Sequence, residues 1–152
     1  MGKRCAAALA LAALAAWGCS SSADGPAEGA WGPVTDGFRA MLYAPRAAVS
    51  LGEPVELRVR VRNTTGEIRD FASAHDLRLR ISRGDKGAGD DMDYVTLAPE
   101  AIKLSPGREQ DFALRTYPTA GEAAKFCGAR GLYRFQGTLG KLELPAIELR
   151  VE

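Results

Sequence analysis

The stretch from Val55 to Asn63 reads VELRVRVRN, and its strict alternation constrains the backbone more than any other part of the chain. Val55, Leu57, Val59 and Val61 fall on one side of an extended strand and Glu56, Arg58, Arg60 and Arg62 on the other, because successive strand side chains point to opposite faces. A helix would scatter the four apolar residues around its circumference, so the segment buries a continuous face only as a half-exposed β-strand. DLRLRIS, residues 76–82, repeats the device, with Leu77, Leu79 and Ile81 set against Arg78 and Arg80. Looser alternation predicts further strands over 38–44, 93–98, 109–116, 132–139 and 146–152.

Turn chemistry separates these runs. Gly52-Glu53-Pro54, Asn63-Thr64-Thr65-Gly66, Ser105-Pro106-Gly107 and Gly140-Lys141 supply the residues that reverse a chain. Residues 119–125 could form one helical turn, and no long amphipathic helix is written anywhere. About seven strands with one apolar face each predict an all-β domain, an immunoglobulin-like antiparallel β-sandwich, with an open barrel as the alternative. GLYRFQG places Tyr133 two residues before Phe135, the spacing of the tyrosine corner of immunoglobulin-like domains; on an alternating strand Tyr133 could equally face solvent.

The amino-terminal residues have a different character. Lys3 and Arg4 precede an apolar run from Cys5 to Ala16, the order of a secretory signal peptide. The run is shorter than the roughly 20 residues that cross a bilayer. Ala16-Trp17-Gly18-Cys19 followed by three serines resembles a bacterial lipobox, in which the Cys receives diacylglycerol and the new amino terminus an acyl chain such as palmitate. That resemblance implies a signal peptide over 1–18, lipidation of Cys19, and a membrane-anchored lipoprotein of the cell envelope. Ser20 in place of Asp after the Cys favours the outer membrane over the inner. A soluble cut after Ser21-Ser22-Ala23, releasing a periplasmic or secreted domain, is the alternative. Multiple acyl chains give a lasting anchor, since each buried methylene contributes about 0.8 kcal/mol and one chain alone holds only marginally.

Residues 20–37, rich in Ser, Gly, Pro and Asp, predict a flexible tether before a domain over 38–152. Trp31 stands out within it, suited either to docking on the domain or to the membrane interface. Lys3 and Arg4 leave with the signal, and the chain's 20 Lys and Arg against 19 Asp and Glu then turn slightly acidic. Phosphate binding needs a basic excess, so nucleic acid is not the expected partner. Of three cysteines only Cys127 belongs to the domain, which excludes an internal disulfide and leaves a buried or a reactive, intermolecularly paired thiol.

Four motifs, VELRVRVRNTTGE, SAHDLRLRI, LSPGREQDFAL and GLYRFQGTL, follow one another in an order similar to the intracellular proteinase inhibitor (BsuPI-like) family. The family's Trp-bearing middle segment is replaced here by RGDKGAGDDMDY. The resemblance implies an immunoglobulin-like fold and, as an alternative function, a protease-inhibitor-like role.

Chemistry-bearing clusters are few. Asp85, Asp90, Asp91 and Asp93 could offer oxygen ligands to Ca²⁺ from a Gly-containing loop, though their spacing departs from an EF-hand and fits a solvated loop better. His75, the single histidine, has no nucleophile elbow to serve, so neither catalysis nor a cofactor is expected. Arg58, Arg60 and Arg62 would join Arg78 and Arg80 in one basic patch if their strands neighbour each other, suited to anionic headgroups, polysaccharide or an acidic envelope protein. Pairing with Glu143, Glu148 or Glu152 is the simpler expectation for these arginines. The expected function is non-catalytic binding by an anchored β-sandwich.

Overall fold

A computed structural model describes residues 25–72, 76–84, 92–96, 101–117 and 127–152. Eleven strands occur among them: β1 (Ala27–Glu28), β2 (Phe38–Ala44), β3 (Ala48–Val49), β4 (Val55–Asn63), β5 (Arg69–Ala72), β6 (Asp76–Arg83), β7 (Met92–Thr96), β8 (Ala101–Leu104), β9 (Glu109–Tyr117), β10 (Gly131–Leu139) and β11 (Leu142–Val151). One sheet runs β1-β2-β4-β9, the second β3-β11-β10-β6-β7, and β5 pairs with β8 in a small third. All pairings are antiparallel except β3 with β11.

Alternation builds the core. Val55, Leu57, Val59 and Val61 of β4 face Leu77, Leu79, Ile81, Phe135, Ile147 and Leu149 of the other sheet in one buried cluster. Two antiparallel sheets closed over a shared apolar interior make an immunoglobulin-like β-sandwich, in which β2-β4-β9 and β11-β10-β6 follow the strand orders A-B-E and G-F-C. The seven long strands are those the sequence predicts, and the four additional ones span only two to four residues.

Residues 27–35 do not form the tether expected of them. Asp36 and Gly37 both adopt positive φ, 53° and 83°, as the two central residues of a type I′ hairpin do. Thr35 and Phe38 exchange backbone bonds of 2.8 and 3.0 Å across that turn. The chain ahead of it then runs back along β2, with Gly29 N–H donating to Leu42 O and Gly32 N–H to Ala40 O. Glycine is needed at both places: a Cβ at Gly29 would stand 2.8 Å from Leu42 O, and one at Gly32 would collide with Glu143 O. Among the described residues the fold thus extends back to Gly25, whose carbonyl accepts from Ala47 N–H at 2.7 Å.

The opposite end of the sandwich is fastened by Asn63, which is fully buried. Its amide nitrogen donates to Glu67 O and Leu104 O, both at 2.8 Å, while its oxygen accepts from the backbone and hydroxyl of Thr65 at 2.9 and 2.8 Å. One side chain thus joins the turn after β4 to the end of β8. A β-bulge between Phe135 and Gly137 shifts the β10–β11 register: Phe135 faces Ile147 and Gly137 faces Leu144, which leaves Gln136 against Ala146 and Pro145, a residue with no N–H to give.

Candidate functional site

The sandwich assigns the two arginine rows to different sheets. Arg58, Arg60 and Arg62 line the outer face of the sheet containing β4, whereas Arg78 and Arg80 lie on β6 in the other. They form no common patch, because β4 and β6 are stacked layers and not neighbouring strands. The carboxylates paired with the β4 row are Glu56, Glu109 and Asp111, in place of the expected Glu143, Glu148 and Glu152.

Register explains those partners. Opposite Arg58, Arg60 and Arg62 stand Tyr43, Met41 and Arg39 of β2 on one side, and Ala113, Asp111 and Glu109 of β9 on the other. Arg60 forks onto Asp111 through two hydrogen bonds of 2.7 and 3.1 Å, and Tyr43 donates its hydroxyl to the same carboxylate at 2.8 Å. The bond from Arg60 is the main reason that the Asp111 carboxyl is held below its usual range. Burial and the bond to Asp111 push the Tyr43 hydroxyl up. Arg60 also covers the Tyr43 ring, its guanidinium carbon 4.8 Å from the centroid. Tyr43, although on the outer face, is consequently buried beneath this polar layer, and Met41, opposite Arg60, is buried as well.

Arg58 is held by Glu56, with bonds of 2.8 and 2.6 Å from Nε and Nη2. Arg39 and Arg62 are less well provided for. They are directly opposed across β2 and β4, an arrangement that costs a few tenths to about 1 kcal/mol for like charges. Arg62 comes no nearer to a carboxylate than 3.7 Å, at Glu109, which Arg60 shares at 3.8 Å. Arg39 lies over the Trp31 ring at 4.7 Å, and its Nε is shut away from solvent without a hydrogen-bond partner. An orphaned buried N–H costs about 1–3 kcal/mol. Trp31, within the presumed tether, is thus docked on the sheet, where Gly29 and Gly32 bring its segment close.

Other candidates resolve differently. Cys127 is fully buried, and burial pushes its thiol up to about 12, so the reactive or intermolecularly paired alternative does not fit its surroundings. Tyr133 is also buried; its hydroxyl donates to Ala129 O at 2.7 Å and accepts from Ala129 N–H at 3.3 Å. With Phe135 fully buried two residues later near the start of the F-like strand, this is the tyrosine-corner geometry. His75, Asp85, Asp90, Asp91 and Cys19 lie outside the described residues. Asp93 falls within β7, opposite Leu79 of β6, and not in a loop. Among the described residues no group of three metal-ligating side chains occurs.

A cleft of about 460 Å³ opens between the sheets at the Asp36-Gly37 end. Phe38, Phe71 and Leu142 line it, and Arg69 and Lys141 are matched there by Asp36 and Asp70, so it selects no sign of charge.

No family profile and no curated protein matches the chain. Among solved structures, a β-glucosidase from Erythrobacter marinus is similar over 76% of this chain and 15% of its own, with 15% identity and a TM-score of 0.46. An alkylpurine DNA glycosylase from Pseudomonas fluorescens is similar over 78% of this chain and 31% of its own, at 16% identity and a TM-score of 0.48. A CARDB domain from Pyrococcus furiosus is similar over 84% of this chain and 96% of its own, at 16% identity and a TM-score of 0.40. The chain spans only about a sixth of the length of the β-glucosidases it resembles. Likenesses at this level carry no argument about activity.

Proposed function

We propose that this chain is a lipid-anchored envelope protein that presents a non-catalytic β-sandwich for binding. Residues 1–18 direct export and are removed, Cys19 carries the acyl chains, and the outer membrane is the destination that Ser20 favours. The observation that carries this reading is the sequence Lys3-Arg4, apolar run, Gly18-Cys19-Ser20, set a few residues ahead of Gly25, which is bonded to Ala47. The pairing of 27–35 with β2 sharpens it. Six peptide steps separate Cys19 from Gly25, and whatever their conformation they reach no further than about 22 Å. The domain then stands close to the bilayer, with its Gly25–Ala47 end toward it.

Intact-mass spectrometry of membrane-extracted wild type and Cys19→Ser tests the anchor. A mass equal to residues 19–152 plus acyl chains is expected, lost in the variant together with membrane association. A soluble wild-type product beginning near Asp24 would overturn the reading and make the domain a diffusible binder.

A further inference from the structure

We infer that Arg39 and Arg62, with Trp31 beside them, form the recognition site for a carboxylate-bearing polysaccharide. The other two arginines of this face are occupied, Arg58 by Glu56 and Arg60 by Asp111. Arg39 and Arg62 instead confront each other across the ladder, and among the described residues the single carboxylate paired with either is Glu109, beyond hydrogen-bond distance of Arg62. A carboxylate placed between the two guanidinium groups relieves their repulsion and accepts N–H bonds from their terminal nitrogens, for which the described residues supply no acceptor within hydrogen-bond distance.

Trp31 decides between kinds of anion. Arg39 stacks over the half-buried Trp31 ring, and the part of the indole left in solvent offers apolar surface for the C–H face of a sugar ring whose charged group turns to the arginines. The site lies on an open strand face and not in a pocket, which suits a polymer laid across the sheet.

Position argues against the anchor's own membrane as the source of the anion, in a step that rests on the lipoprotein reading. Arg39 is five residues from Ala44 along β2, about 17 Å at strand rise. The Gly25 end carries Glu28, opposite Tyr43, and Glu56 beside Arg58. Toward the bilayer the cations Arg46 and Arg58 are held by Glu53 and Glu56, and the guanidinium pair without a close carboxylate stands away from it.

The test uses the full chain, taken from whichever fraction contains it and held in mild detergent, with polygalacturonate as the probe and neutral dextran as control. We expect salt-sensitive binding to polygalacturonate and none to dextran. Arg62→Gln should weaken it about tenfold, the loss of one charge-assisted pair. Arg39→Lys, which keeps the charge but not the fork, should weaken it also, and Trp31→Ala should do so for polygalacturonate more than for poly-L-glutamate. Arg80→Gln, on the other sheet, should leave affinity unchanged. Arg62 is exposed enough that its variant should melt with wild type, which separates lost binding from lost folding. No binding by folded wild type, an equal loss in Arg80→Gln, equal affinity for poly-L-glutamate, or a preference for phosphatidylglycerol vesicles would each overturn the inference. Failure of the anchor shows independently, as protein recovered in the soluble fraction.

Discussion

The hydroxyl of Tyr133 bonds both backbone groups of Ala129, giving its proton to the carbonyl and accepting from the amide four residues upstream. One buried side chain thereby pins the approach to β10 against the strand itself. Tyr133→Phe keeps the ring and loses both bonds. Urea unfolding should show a loss of about 1 kcal/mol with no change of fold by circular dichroism. An unchanged midpoint would mean that water satisfies Ala129 equally well.

Asn63→Asp should be more damaging. A carboxylate cannot donate to Glu67 O and Leu104 O, so two carbonyls lose their partner and a charge is placed in a fully buried site. A loss of about 2–4 kcal/mol is expected at neutral pH, smaller in acid where the introduced carboxyl keeps its proton. Equal stability of the two proteins at pH 7 would contradict the buried network.

The Arg60–Asp111 fork predicts an acid dependence of modest size. Asp111 has its folded value held below the ordinary 3.8, so its contribution is present above that pH and is lost as pH falls through the folded value. The pair is about one-third exposed, and solvent screening limits it to about 1 kcal/mol or less. A double-mutant cycle of Arg60→Gln and Asp111→Asn should show this coupling at pH 7 and lose it in strong acid. Coupling that persists after Asp111 is protonated would refute the ionic origin.

Cys127 works in the opposite direction. Its folded value of about 12 exceeds the ordinary 9.0, so the native state retains a proton that the unfolded chain gives up. The resulting stability is whole below pH 9 and declines as pH rises from 9 toward 12. Iodoacetamide should leave the Cys127 peptide unmodified in native protein and label it fully in guanidinium. Rapid native labelling would place the thiol at the surface.

Gly32→Ala should release one segment and spare the rest. The added methyl meets Glu143 O, so the residues ahead of the Asp36-Gly37 turn lose their seat along β2. Hydrogen exchange should quicken over 27–35 while β4 and β10 stay protected. Uniform quickening would show that the segment is integral to global stability.

Legibility in the sequence followed the strength of periodicity. The bounds of β4 are legible to the residue because it alternates over nine positions, and those of β2, which does not alternate, because Gly37 and Pro45 bracket an apolar run. β11 begins at Leu142 and not at 146, since the bulge opposite Pro145 breaks the alternation that marks a strand. β1, β3, β5 and β8 are too short for any period to register. The hairpin at Asp36-Gly37 was written in its dipeptide, but the Ser, Gly and Pro content around it reads as linker. The site was legible only in part: Arg62 shows in the alternating row, whereas its meeting with Arg39 and Trp31 depends on which strands become neighbours, and two separate runs do not encode that.

The hairpin that returns along β2 also determines how the domain carries load. Its ladder bonds lie across the strand direction, and the chain leaves at the open end beside Gly25. A pull applied along the strands through the residues ahead of Gly25 would strain those bonds together in shear instead of opening them one after another like a zipper. Residues 25–35 are thus a mechanical joint, and the sandwich resists being dragged through them with several bonds at once.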